Sequence, residues 1–64
     1  MADLYRPLTE LLRENNCRFQ RQGRGDHEIW YSPKTDRKFS VPAKIKSRHT
    51  ANAILKQAGL KKAF

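Results

Sequence analysis

The chain has a single cysteine, Cys17, so no intrachain disulfide can form, and that argues against an oxidised secreted scaffold. No apolar run approaches the roughly 20 residues that cross a bilayer. No signal-peptide core is visible at the N-terminus. A cytoplasmic protein with no membrane partner is therefore expected. There is no internal repeat and no low-complexity segment. Length is itself scarce: 64 residues make one domain, 1–64. A domain this small buries only about 60% of the surface its unfolded chain exposes, so a large enclosed catalytic cleft is not expected. Acid is missing from the second half altogether. Residues 1–36 carry six bases and six acids, which cancel, whereas residues 37–64 carry eight bases and no acid. The whole net charge of +8 comes from that segment. Such a field draws polyanions, and nucleic acid or an acidic protein is the partner class it favours over simple solubility.

What is present is enough to fold. Leu4, Leu8, Leu11 and Leu12 recur at i, i+4, i+7, i+8, the apolar stripe of a helix. Pro7 suits its first turn, with Tyr5 and Arg6 at the cap and Glu10 and Arg13 pointing away from the stripe. Asn15-Asn16 ends it, because asparagine tolerates left-handed backbone. Cys17 to Gln22 begins with the alternation of a half-buried strand, and Cys17 reads as a core residue. Gly23-Arg24-Gly25-Asp26 is a loop. His27 to Ser32 is a second strand, rich in aromatic and branched residues. Pro33 to Asp36 turns the chain, and Lys38-Phe39-Ser40-Val41 is a third strand ended by Pro42. Ala43 to Lys46 reads as a basic connector. Ser47 caps a second helix bearing Ala51, Ile54, Leu55 and Ala58, Gly59 and Leu60 close it, and Lys61 to Phe64 is expected to fray.

The order is α-β-β-β-α. It predicts an α+β fold, with a three-stranded antiparallel sheet, both helices on one face and the other face open. In the second strand His27, Ile29 and Tyr31 share one side, and Glu28, Trp30 and Ser32 share the other. Each side has an aromatic, so periodicity leaves the core side open; Trp30 and Tyr31 each read as a core or a base-stacking residue, Trp30 equally as either.

The constellations of common catalytic chemistry are missing. Cys17, His27 and His49 lack the clustering of a metal site, so no metal and no cofactor is expected. Gly23-Arg24-Gly25 has neither the Lys-Ser/Thr nor the strand-to-helix setting of a phosphate loop. No serine sits in a nucleophile elbow. Asp26 and Glu28 are expected on the side of the strand opposite His27, if the strand has begun by Asp26. That leaves the histidines. His49 reads as a solvated residue in the first turn of the second helix. His27 begins a strand after a Gly-rich turn with Arg24 close by, and an imidazole there is suited to proton transfer in RNA cleavage.

Four stretches together resemble the HicA family of toxins. They are Leu11-Leu12-Arg13-Glu14-Asn15-Asn16-Cys17-Arg18-Phe19, Gly25-Asp26-His27-Glu28-Ile29-Trp30, Phe39-Ser40-Val41-Pro42, and Ala53-Ile54-Leu55-Lys56-Gln57-Ala58-Gly59-Leu60. The resemblance runs from about Leu8 to Leu60. It implies a double-stranded-RNA-binding-domain-like fold and a small mRNA interferase, an endoribonuclease of type II toxin–antitoxin systems. One strand-borne histidine would be catalytic, and a HicB-type antitoxin would cover it. The histidine of the family's Gly-Ser-His motif falls on His27. Asp26 stands where the family has Ser, Asn16 where it commonly has Gly, and the loop before His27 is one residue longer. The resulting expectation is a metal-independent ribonuclease with His27 catalytic and Arg24, Gly25, Arg37, Lys38, Lys44, Lys46 and Arg48 binding RNA. It would be monomeric alone and hetero-oligomeric with an acidic antitoxin. Two other readings compete: a non-catalytic RNA-binding module of the same fold, and a DNA-binding or antitoxin-like regulator, which lacks a helix-turn-helix pattern here.

Overall fold

The computed structural model describes residues 3–64, and its elements follow the expected order. They are α1 (Tyr5–Glu14), β1 (Arg18–Gln22), β2 (His27–Ser32), β3 (Arg37–Pro42) and α2 (Arg48–Gln57). The strands form one antiparallel sheet in the order β1-β2-β3. Leu8 and Leu12 from α1, Trp30, Phe39 and Val41 from the sheet, and Ala51, Ile54 and Leu55 from α2 make one buried cluster. Both helices therefore cover the same sheet face. Trp30 has no exposed surface, which settles the side that periodicity left open: Glu28, Trp30 and Ser32 face the helices, and His27, Ile29 and Tyr31 face away.

Both helices stop by the same device. Asn16 (φ 68°) and Gly59 (φ 78°) adopt left-handed backbone. After α1, Asn16 N–H donates to Arg13 O and Cys17 N–H to Leu12 O; after α2, Gly59 N–H donates to Lys56 O and Leu60 N–H to Leu55 O. This is the paired 5→2 and 6→1 bonding of a Schellman ending, with an apolar residue next in the chain. The next orphan carbonyl, Ala58 O, accepts from the buried Ser32 hydroxyl at 2.8 Å, which ties α2 to the sheet. Ser47 caps α2, its hydroxyl accepting from the His49 and Thr50 N–H groups.

Four expectations need correction. The α1 cap is Leu4, which has no capping side chain; the Asp3 carboxylate does that work, accepting from Tyr5 N–H at 2.9 Å. β1 is not half-buried: all five of its residues are exposed, because it is the sheet edge beyond the helices' reach. The connector is more than a basic strap. Ile45 is 1% exposed, within the core, its N–H donates to the Asp3 carboxylate and its carbonyl accepts from Leu4 N–H. The segment after α2 is tied down rather than frayed. Asn52 accepts from the Ala63 and Phe64 N–H groups and donates to Phe64 O, and the Phe64 ring packs on the core.

A Cβ added at Gly59 would lie 2.6 Å from Thr35 Cγ2, whereas one at Gly25 (φ 62°) meets nothing within 4 Å. Gly25→Ala therefore carries only the left-handed penalty, about 1 kcal/mol. Gly59→Ala adds the displacement of Thr35 and should cost about 2 kcal/mol or more. Denaturant unfolding of the two variants checks this, and equal losses would contradict it.

Candidate functional site

β2 starts at His27, and its first residue is held from both sides. His27 N–H donates to Arg24 O, and its carbonyl accepts from Gly23 N–H and from the Gln22 side chain at 2.9 Å. The Gly-rich loop is thus closed under it, with Gly25 supplying the left-handed residue. The imidazole itself is free on the open face, its side chain 50% exposed. Its Nδ1 lies 2.9 Å from Ser40 Oγ on the neighbouring strand, and its Nε2 lies 3.8 Å from Asp26 Oδ1. Asp26 would lie on the opposite side only if the strand included it. The strand alternation begins only at His27, so Asp26, still in the loop, is free to turn its carboxylate toward the ring.

Arg24, His27, Ile29 and Ser40 line a depression of about 340 Å³. A larger depression, about 730 Å³, lies at the other end of β1, between Arg13, Asn16, Cys17, Arg18, Phe19 and Pro33. It has more room, but apart from its two arginines its one ionisable side chain is the buried Cys17 thiol, and side-chain chemistry, not volume, places the candidate site at His27. Among the described residues no three His, Cys, Asp or Glu side chains gather into a metal-binding group.

Register decides which cations share the His27 face. Tyr31 pairs with Arg18 on one side and Lys38 on the other; Ile29 pairs with Arg21 and Ser40. Directly paired residues point the same way. The β1–β2 register slips between Phe19 and Arg21, so Gln20 is an extra residue. Without that bulge Arg18 would share its face with Gln20, and Arg21 would point to the helix side. With it, both arginines stand on the open face, a re-aiming that bulges commonly perform. Every charged strand position on that face is then basic.

Of the residues expected to contact RNA, Arg24 and Lys38 lie on this face, and Gly25 shapes the loop beneath it. Lys44 and Lys46 sit on the connector, whose start is bound to the loop through Ala43 N–H to Asp26 O at 3.0 Å. Arg37 pairs with Ser32 and so shares the helix-facing side of the sheet. Arg48 opens α2. Sequence reasoning missed Arg18, Arg21 and Ser40. Ser40 was readable as the residue alternating with Phe39 and Val41; the two arginines were not, because nothing in the strand's composition announces a bulge.

The family model described as HicA toxin of bacterial toxin–antitoxin matches residues 5–60. The chain belongs to the HicA toxin family. The match takes in α1, the whole sheet, the connector and α2, and begins three residues before the span on which the resemblance was read. HicA membership makes the chain a toxin component and implies an antitoxin partner. The α-β-β-β-α order is consistent with a double-stranded-RNA-binding-domain-like fold. No curated protein and no solved structure matches the chain. No helix among the described residues is long and apolar enough to cross a membrane.

Asp3 ties the connector to α1. Its carboxyl is held below its usual value of 3.8 by the Ile45 N–H, then by the Tyr5 N–H, with Lys44 and Lys46 adding to the effect and burial opposing it. A depressed folded-state value means that the stabilisation is present above the unfolded value and is lost as pH falls through the folded one. Asp3→Asn should therefore flatten the acid limb of stability below about pH 4. Denaturant midpoints measured down that limb test this, and superimposable pH profiles for the two proteins would sink it.

Proposed function

We propose that the chain is an endoribonuclease that cleaves mRNA, with His27 as the proton-transfer residue. The observation that carries this is one exposed imidazole, pinned through its backbone, on a sheet face whose charged strand positions are all basic. His27 Nε2 takes the proton of a ribose 2′-hydroxyl. The 2′-oxygen bonds to the adjacent phosphorus as the bond to the 5′-oxygen breaks. The leaving oxygen takes its proton from the imidazolium or from water, leaving a 2′,3′-cyclic phosphate and a 5′-hydroxyl. Ser40 orients the ring. A proton on Nδ1, donated to Ser40 Oγ, leaves the Nε2 lone pair available, since the bond made by one ring nitrogen sets the state of the other. Arg24, Arg21, Lys38, Lys44 and Lys46 hold phosphates and offset the charge of the transition state. Proton transfer and fixed cations supply the chemistry, so the reaction is independent of metal and should proceed in chelator.

The partner on this reading is an acidic HicB-type antitoxin that lies over His27 and the connector in the cytoplasm. Complementary charge would speed its association.

His27→Ala should slow cleavage by about 10²–10⁴-fold, the usual worth of a general acid–base group. Its stability should change by less than about 0.5 kcal/mol, as at an exposed position, and RNA and antitoxin should still bind. Ser40→Ala should slow cleavage less, and His49→Ala not at all. A folded His27→Ala protein that cleaves at the wild-type rate ends the proposal; RNA binding without product from the wild type, with or without chelator, makes the chain a binding module instead.

Binding should also weaken with salt, log K falling by about 0.7 per phosphate contact on single strands for each tenfold rise. Reversing the charge at Lys44 and Lys46 should reduce that slope. A titration that is flat from low to physiological salt would remove the phosphate contacts from the account.

A further inference from the structure

Tyr31 is the aromatic side chain on the open face that proton transfer at His27 leaves without a role. It stands on the same strand and the same side, four residues along, about 13 Å away at the rise of a β-strand. Its register partners are Arg18 on β1 and Lys38 on β3. The ring is half-buried, and its hydroxyl donates to Asp36 Oδ1 at 2.6 Å. Asp36 is placed for this by left-handed backbone (φ 54°) in the β2–β3 turn. The polar end of Tyr31 is therefore already satisfied and the ring is held, so what remains for a ligand is its π-face. The bond to Asp36, and then burial, raise the phenol above its usual 10.0 against the pull of Arg18, so the ring stays neutral at any physiological pH.

We propose that Tyr31, flanked by Arg18 and Lys38, is a subsite of the ribonuclease face that stacks one unpaired base of single-stranded RNA, a few nucleotides from the cleaved bond. This rests on the reading of the His27 face as an RNA-cleaving site. An aromatic ring set between two cations matches the alternation of base and phosphate along a single strand. A duplex offers the ring little, because its base faces are covered by their neighbours. A protein partner fits less well. The apolar surface of this face is Ile29, Tyr31 and Pro42, all half-buried, and the exposed large hydrophobic residue, Phe19, lies on the other face. That is short of the apolar core of a stable protein interface.

The test is made in the His27→Ala background, so that binding is read without cleavage. Anisotropy of a labelled single-stranded oligoribonucleotide at fixed salt gives the affinity. Tyr31→Ala should weaken it by about 5- to 150-fold, the alanine-substitution range for one stacked base. Tyr31→Phe, which keeps the ring, should retain it. Tyr31→Leu, which fills similar space without a π-face, should behave like Tyr31→Ala and keeps the comparison open if the smaller variant unfolds; thermal melts verify each protein. Abasic substitution along the oligonucleotide should reveal one position that weakens binding to the Tyr31 protein and has no effect on the Tyr31→Leu protein. The proposal is overturned if folded Tyr31→Leu binds as tightly as Tyr31→Phe. It is equally overturned if single-strand and duplex affinities fall together, or if only antitoxin binding is lost. Because no cleavage is needed, absence of product from the wild-type protein would count against the ribonuclease reading and leave this binding result standing.

Discussion

Trp30 occupies the middle of β2 with no exposed surface, and the direction its indole takes sets the direction of every other side chain on that strand. Its ring N–H donates to Glu28 Oε1 at 2.9 Å, and the Tyr5 hydroxyl donates to the same carboxylate at 2.8 Å. The Arg13 guanidinium lies 5.2 Å from the ring centroid. Two residues of α1 and one of β2 are thereby gathered on one indole, which binds the first helix to the central strand by polar contacts as well as by burial. Side chains on a strand alternate with a period of two, so a slip of one residue would drive Trp30 into solvent and His27 into the core. Losing a buried aromatic of this size costs about 3–5 kcal/mol, a large share of the stability a domain this small can have. The exposure of His27 is thus enforced from the opposite face.

The charge asymmetry of the sequence does not become an asymmetry of the fold in any simple way. The first 36 residues are neutral, yet Arg18, Arg21 and Arg24 come from them and stand on or beside the His27 face. Of the acids in that half, Asp26 stays beside the imidazole, 3.8 Å from Nε2, and three others are engaged. Glu28 is turned under the sheet, Asp36 is bound to Tyr31, and Asp3 accepts from two backbone N–H groups. Of the basic half, Lys38 reaches that face through its strand register, while Lys61 lies with Leu11 and Leu55 on the helical side. Pairing and the bulge, more than composition, concentrate positive charge beside the imidazole.

The element order, the Ser47 cap, both left-handed helix endings and the place of His27 at a strand start were all legible, because each follows from local chemistry that a few neighbouring residues express. Four other features depend on contacts distant in sequence. The facing of β2 was undecidable because Trp30 and Tyr31 offer equal aromatic weight to the two sides, and only the helices choose between them. Ile45 looked like part of a charged strap, since one apolar residue between lysines carries no periodicity. The clasp of Asn52 on Phe64 joins residues 12 apart in sequence. The bulge at Gln20 left no trace in a strand whose composition is polar throughout, so the arginines it re-aims went unread, and with them half of the cations that border Tyr31.

Arg18 and Arg21 also have a plainer explanation. β1 is an edge strand, and natural sheets protect such edges from pairing with other chains by charged side chains and by bulges. Both devices are present here, and protection alone would account for two arginines and an irregular register. It does not account for their direction. A charge discourages edge pairing from either face of the sheet, and a bulge twists the edge wherever it falls. In β1 the extra residue falls between the two arginines, the placement that brings both to the side of His27, Ser40 and Tyr31. An unbulged strand would have divided them between the two faces and protected the edge as well. The shared direction of Arg18 and Arg21 is therefore the feature of β1 that edge protection leaves unexplained and that a phosphate backbone crossing the open face would use.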